Sequence, residues 1–183
     1  RILHDKHCAA GRHYHTLEHL RNYHAQLRRY KAAGRLAAPA VCELALFFHD
    51  AVYDARRADN ELQSAQLFAE FCADLRRAAD LPPSLHLEQA TGLILRTANH
   101  MDATPAEDSD AAAFLDCDLH TLGAAPHTYH RYAEGVRLEY AHVPSREFAT
   151  KRSAFLAHMA SAPTIYFGPL ADLDGRARSH LTE

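Results

Sequence analysis

"PAVCELALFFHDAVYD", Pro39–Asp54, is the stretch whose reading decides the fold. Its apolar residues crowd together without the strict alternation of a half-buried strand, and Pro39 suits the first turn of a helix. It reads as a buried helix that ends on a histidine and two acids. Outward from it the helical pattern continues in both directions. Thr16 is placed to cap a helix over roughly 17–33 that Gly34 ends. Further helices are predicted over about 60–79 and 84–99, separated by the "LPPS" break at 81–84. "HMDATPAEDSD" (100–110) reads as a loop, and "AAAFLDCDLHTLG" (111–123) as a short helix stopped by Gly123. Pro126 opens a long helix to about His142; "PSREFATKRSAFLAHMAS" (144–161) is another, and a short last helix falls within 169–181. The expectation is a single all-α domain, residues 1–183, of seven or eight helices, with Leu46, Phe47, Leu93, Leu95, Phe114 and Leu115 in the core.

Composition bounds the function. The chain has 183 residues, 48% hydrophobic and 23% charged, an ordinary globular balance. The net charge of −3 gives no electrostatic case for nucleic acid as a partner. No apolar run is long enough to span a membrane, and no signal-peptide pattern is seen. The four cysteines form no CxxC pair and fit reduced thiols in a cytoplasmic protein. Histidine is the outlier at 15 residues, and it is the commonest metal ligand.

Three stretches carry chemistry. In "RHYHTLEHL" (Arg12–Leu20), His15 and His19 are four residues apart, a spacing that puts both on one helix face about 6 Å apart. His49 and Asp50 end the apolar helix, and a charged aspartate so close to buried surface needs a partner. In "FLDCDLHTLG", Asp116 and Asp118 flank a cysteine; two carboxylates this close repel unless a cation or hydrogen-bond donors hold them. Together these residues form a mixed nitrogen and oxygen set suited to a divalent ion. Asn60, Glu61 and Ser64, in "NELQSA", read as a helix start, with Glu61 a candidate to face the site. His100, in "TANHMD", is a candidate second-metal ligand or phosphate contact. Arg12, Arg137, Lys151 and Arg152 are the candidate phosphate-binding cations.

The ordered set "RHYHTLEHL", "FFHDAVYD", "NELQSA", "TANH" and "FLDCDLHTLG" resembles the HD-domain metal-dependent phosphohydrolase superfamily, and more narrowly a bacterial group of predicted HD-superfamily hydrolases. The resemblance covers about residues 10–167. It implies an HD-type helical bundle that hydrolyses a phosphomonoester or phosphodiester, a nucleotide or other small phosphorylated metabolite, through a metal-activated water. His49 and Asp50 match the HD pair. The "YHTLEH" spacing resembles that of cyclic-nucleotide phosphodiesterases, which makes His19 a metal ligand and His15 the acid that protonates the leaving group. "CDL" makes Asp118 the last ligand with Asp116 beside it, although the two remain exchangeable on sequence. Asp50 or Glu61 would accept the proton of the attacking water. The ion is left open among Mn, Mg, Fe, Co, Ni and Zn, and the oligomeric state is open too.

The chain departs from HD 5′-nucleotidases, which carry a glutamate where Tyr53 stands, and it lacks the "GYP" motif of cyclic-di-GMP phosphodiesterases. Two other functions fit the same scaffold: an HD-type di-iron oxygenase and a non-catalytic metal-binding sensor of small molecules. The oxygenase needs extra histidines, for which His100 and, less well placed, His86 are the candidates.

Overall fold

The helix opened by Pro39 sits at the centre of the structure and explains its own composition. The computed structural model describes residues 2–78, 87–100 and 109–182. Among these residues it is all-α, with nine α-helices, two short 3₁₀ segments and no strand. In chain order the helices are α1 (Ile2–His7), α2 (Leu17–Ala32), α3 (Pro39–Phe48), α4 (Asn60–Ala78), α5 (Leu87–Arg96), α6 (Ser109–Leu119), α7 (Pro126–Glu139), α8 (Ser145–Ser161) and α9 (Asp174–Thr182). The 3₁₀ segments are His120–Gly123 and Gly168–Leu173. The helix not predicted from sequence is α1. The "LPPS" break, His86 and most of the 100–110 loop lie outside the described residues.

Helix α3 packs against α2, α4, α5 and α6. A helix surrounded by others must be apolar on most of its circumference, as this one is. Val41, Cys42, Ala45, Leu46 and Phe48 are buried, and each large side chain among them contributes about 1.5–3 kcal/mol by leaving water. From α2, Leu20, Tyr23, Leu27 and Tyr30 recur every three or four residues and enter the same core. The Tyr23 hydroxyl donates to the Phe114 carbonyl at 2.7 Å and pins α2 to α6.

Of the predicted core, Leu46, Leu93, Phe114 and Leu115 are buried, but Phe47 and Leu95 are 42% and 41% exposed. Each lies about 100° round its helix from a buried neighbour, Phe48 or Ile94.

The α3 helix also ends earlier than its apolar pattern suggested, at Phe48 rather than near Asp54. The cause lies in the following helix. Ser64, fully buried on α4, accepts from the Val52 amide at 3.0 Å and donates to the Val52 carbonyl at 3.2 Å. Asn60 brackets Asp54 in the same way, through its backbone amide and carbonyl, both at 3.0 Å. "NELQSA" is thus the clamp that turns the chain out of α3 just after the His-Asp pair.

The other ends follow their local chemistry. Thr16 caps α2, its side chain accepting from the Glu18 amide. Gly34 takes φ +64° just beyond α2, a conformation that L side chains rarely adopt. Gly123 ends its segment for another reason: a Cβ there would lie 2.7 Å from the Leu173 Cβ and 2.9 Å from the Leu173 carbonyl oxygen. Gly123→Ala is expected to destabilise the fold by roughly 1–3 kcal/mol, lowering the thermal midpoint by about 2–12 °C. A circular-dichroism melt that matches the parent would show that the C-terminal segment yields without cost.

No disulfide joins the four cysteines, and Cys42, Cys72 and Cys117 are buried. Among the described residues no helix is long and apolar enough to cross a membrane.

Candidate metal centre

His19, in the first turn of α2, is buried at 2% exposure, and His49, at the C-terminal cap of α3, at 1%. Their Nε2 atoms face each other at 3.2 Å. Asp118, near the end of α6, brings Oδ1 to 3.3 Å from His19 Nε2 and 3.6 Å from His49 Nε2. Asp50 brings Oδ2 to 3.0 Å from His49 Nε2 and 3.5 Å from His19 Nε2. Three separate helix ends thus deliver ring nitrogens and carboxylate oxygens to one point.

The donor set fits a metal ion on two grounds. Ligand atoms about 2.1 Å from a common ion stand roughly 3.0–3.4 Å apart in octahedral or tetrahedral arrangements, close to the 3.0–3.6 Å spacings here. His49 Nδ1 donates to the Leu46 carbonyl at 2.7 Å, which leaves the Nε2 lone pair toward the cluster, the tautomer a ligand needs. His19, His49 and Asp118 form a group that could hold a metal ion.

The cluster concentrates charge in a dry place. Burial alone would raise the Asp118 and Asp50 pKa values. The neighbouring histidines outweigh this and bring both carboxylates below the usual range, His100 first among them for Asp118 and His49 for Asp50. His100 Nε2 sits 2.7 Å from Asp118 Oδ2, the oxygen turned away from His19 and His49. His100 therefore orients Asp118 from behind.

Of Asp116 and Asp118, it is Asp118 that faces the two histidines. Asp116 points the other way, and its Oδ2 accepts from the Tyr30 hydroxyl and the Phe167 amide, both at 2.5 Å.

His15 reaches the site by a route other than the one its spacing suggested. It precedes the Thr16 cap, so it is not on the helix that carries His19. The two rings nevertheless stand 5.8 Å apart. What holds His15 is Glu139, at the end of α7. Glu139 Oε1 accepts the backbone amides of His13, Tyr14 and His15 at 2.8, 2.8 and 3.0 Å. Its Oε2 bonds His15 Nδ1 at 2.7 Å and accepts the Tyr53 hydroxyl at 3.0 Å. Tyr53 also stacks on the His15 ring, with centroids 4.0 Å apart. Burial works against ionised Glu139, but the His15 hydrogen bond and the amides outweigh it and bring its pKa down to about 2. Burial also disfavours a charged His15; the Asp50 and Glu139 carboxylates reverse this and raise its pKa above the ordinary value. With Nδ1 committed to Glu139, Nε2 is the ring nitrogen left for proton transfer.

A cavity of about 380 Å³ lies against the cluster. His15, Asp50, Tyr53, Glu61, His100, Asp118 and Arg152 line it. Of the four predicted phosphate cations only Arg152 does so. Arg12 is spent on structure, donating to the carbonyls of His15 and Ala51 at 2.9 and 3.1 Å. Arg137 likewise donates to Tyr140 and Val143 carbonyls at 2.7 and 3.2 Å and lies over the Phe148 ring. Lys151 pairs with Glu147 at 2.7 Å and lines a neighbouring chamber instead.

Glu139 and Tyr53 are the site residues that sequence reasoning did not select. A signal for Glu139 was present: it shares a helix face with buried Val136, an unusual register for an unpaired carboxylate.

The fold and the cluster define an all-α protein with a histidine–aspartate group able to hold a metal ion beside a cavity that contains a Glu139-supported histidine. Comparison with family models, curated proteins and solved structures gives no match.

Proposed function

We propose that the chain is a metal-dependent phosphohydrolase of HD type, acting on a nucleotide or another small phosphorylated metabolite. The observation that carries this reading is the meeting of His19, His49, Asp50 and Asp118 on a cavity that also holds the His15–Glu139 pair. Those four side chains would hold one divalent ion, with Mn, Mg, Fe, Co, Ni and Zn all compatible with the ligands. When bound, such an ion supplies Lewis-acid activation of water and of a phosphoryl oxygen.

The chain's own residues do the rest. Asp50 and Glu61 are the cavity carboxylates that can take a proton from the attacking water. Water adds to phosphorus, the bond from phosphorus to the leaving oxygen breaks, and His15 gives that oxygen its proton from Nε2. Glu139 holds the ring in the tautomer that permits this and stabilises its charged form. Arg152, with no carboxylate in ion-pair reach among the described residues, offers its charge to the substrate.

Metal stoichiometry and phosphate release, measured with several divalent ions against a panel of phosphorylated metabolites, test the reading. One ion per chain with phosphate release supports it. Two irons with oxygen uptake would replace it with the di-iron oxygenase. Metal and tight small-molecule binding without turnover would replace it with the sensor.

A further inference from the structure

The cavity beside the cluster continues past its own wall. Val136, Tyr140, Arg152 and Phe155 line it and also line a second chamber of about 630 Å³. The two spaces differ in charge. Asp50, Glu61 and Asp118 edge the first. Among the described residues no carboxylate lines the second, which carries Arg56, His142, Lys151 and Arg152.

Arg152 stands at the junction. Its guanidinium lies 5.1 Å from the ring centroids of both Tyr132 and Phe155, and it donates to the Tyr132 hydroxyl. Two aromatic faces hold it in place while its charge stays uncompensated by any described carboxylate. A substrate with a single phosphoryl group would have the cluster and Arg152 to meet it. It leaves the cations of the second chamber unused. Arg56 and Lys151 have only surface partners, Asp54 at 4.0 Å and Glu147 at 2.7 Å, and their side chains are 70% and 73% exposed. Such pairs are weak and exchange readily for a ligand anion.

Resting on the hydrolase reading, we propose that the substrate carries two anionic groups on a frame that also bears a flat body. One group sits at the cluster and Arg152, the flat body lies against Tyr140 and Phe155, and the second group meets Lys151 and Arg56. The first cavity alone lies near the lower end of the range for small-molecule sites, roughly 300–1,000 Å³; the second supplies the room for the body and its distal charge.

Adenosine 3′,5′-bisphosphate and adenosine 5′-monophosphate differ by the distal anion alone and are suitable probes. Their affinities are compared by calorimetry on the full chain loaded with Mn²⁺ and carrying His15→Ala, which removes the proton donor and slows turnover by roughly 10²–10⁴-fold. The bisphosphate is expected to bind about tenfold more tightly. The double variant Arg56→Ala, Lys151→Ala is expected to cut that preference by roughly five- to tenfold, the scale of two exposed ion pairs. Equal affinities, a preference untouched by the double variant, or no binding of either compound overturns the proposal. Phosphate release, assayed separately with His15 intact, distinguishes the two readings. Release from monophosphates without any bisphosphate preference leaves the hydrolase standing and removes the second subsite. A preference that depends on Lys151 and Arg56, without release from any compound, does the reverse.

Discussion

His49→Ala is expected to strip the metal from the chain and abolish phosphate release. His49 Nε2 lies within 3.0–3.6 Å of donor atoms on His19, Asp50 and Asp118, so it contacts every other member of the cluster. Without it, two carboxylates and one imidazole are left around a hole in the core. The loss should exceed the roughly 10–100-fold that removing an outer partner of a ligand costs. His100→Ala supplies that smaller effect for comparison. It removes the group 2.7 Å behind Asp118 but leaves all four donor side chains in place, and metal affinity should fall by about 10–100-fold. Metal content by elemental analysis and fold by circular dichroism are read on the same samples. A folded His49→Ala chain with full metal content would show that the cluster is not the binding site.

The second large effect belongs to His15. His15→Ala should keep its metal and lose roughly 10²–10⁴-fold in turnover, the usual contribution of a positioned acid. Glu139→Gln should act through His15. Removing the negative charge 2.7 Å from Nδ1 lowers the His15 pKa, so the acid form is lost earlier as pH rises. The alkaline limb of the pH–rate profile therefore moves to lower pH in Glu139→Gln, and it is absent in His15→Ala. Loss of metal in His15→Ala together with retention in His19→Ala would reverse the two assignments. An unshifted alkaline limb in a folded Glu139→Gln protein would reduce Glu139 to a purely structural tie.

How far the residues could be read in advance depended on distance along the chain. Pro39 at a first turn, Thr16 as a cap and Gly34 beyond a helix end are decided within four residues, and each stands where local chemistry puts it. His49 and Asp50 were conspicuous because polar groups that end an apolar helix are costly without a purpose. Asp116 and Asp118 could not be separated from sequence. Which one faces His19 depends on how α6 is rotated against α2, and that rotation is set by packing such as Tyr23 against Phe114. Phe47 and Leu95 misled for a related reason: α3 and α5 are apolar beyond the stripe that packing needs, so periodicity does not say which residue is left outside. Arg12 and Arg137 were plausible phosphate ligands by type. Only the folded chain shows that backbone carbonyls have already claimed them.

The tie between Glu139 and the segment His13–His15 spans 124 to 126 residues. The cluster itself is complete in sequence by Asp118. On a chain emerging from the ribosome, the groups able to hold an ion are therefore all present well before the carboxylate that holds His15. Until α7 docks, three amides near the N-terminus lack their acceptor, and closing so long a loop is among the slower steps of folding. The order of assembly follows from chain distance: the histidine–aspartate cluster can close first, and the tie between Glu139 and His15 comes later, with α7.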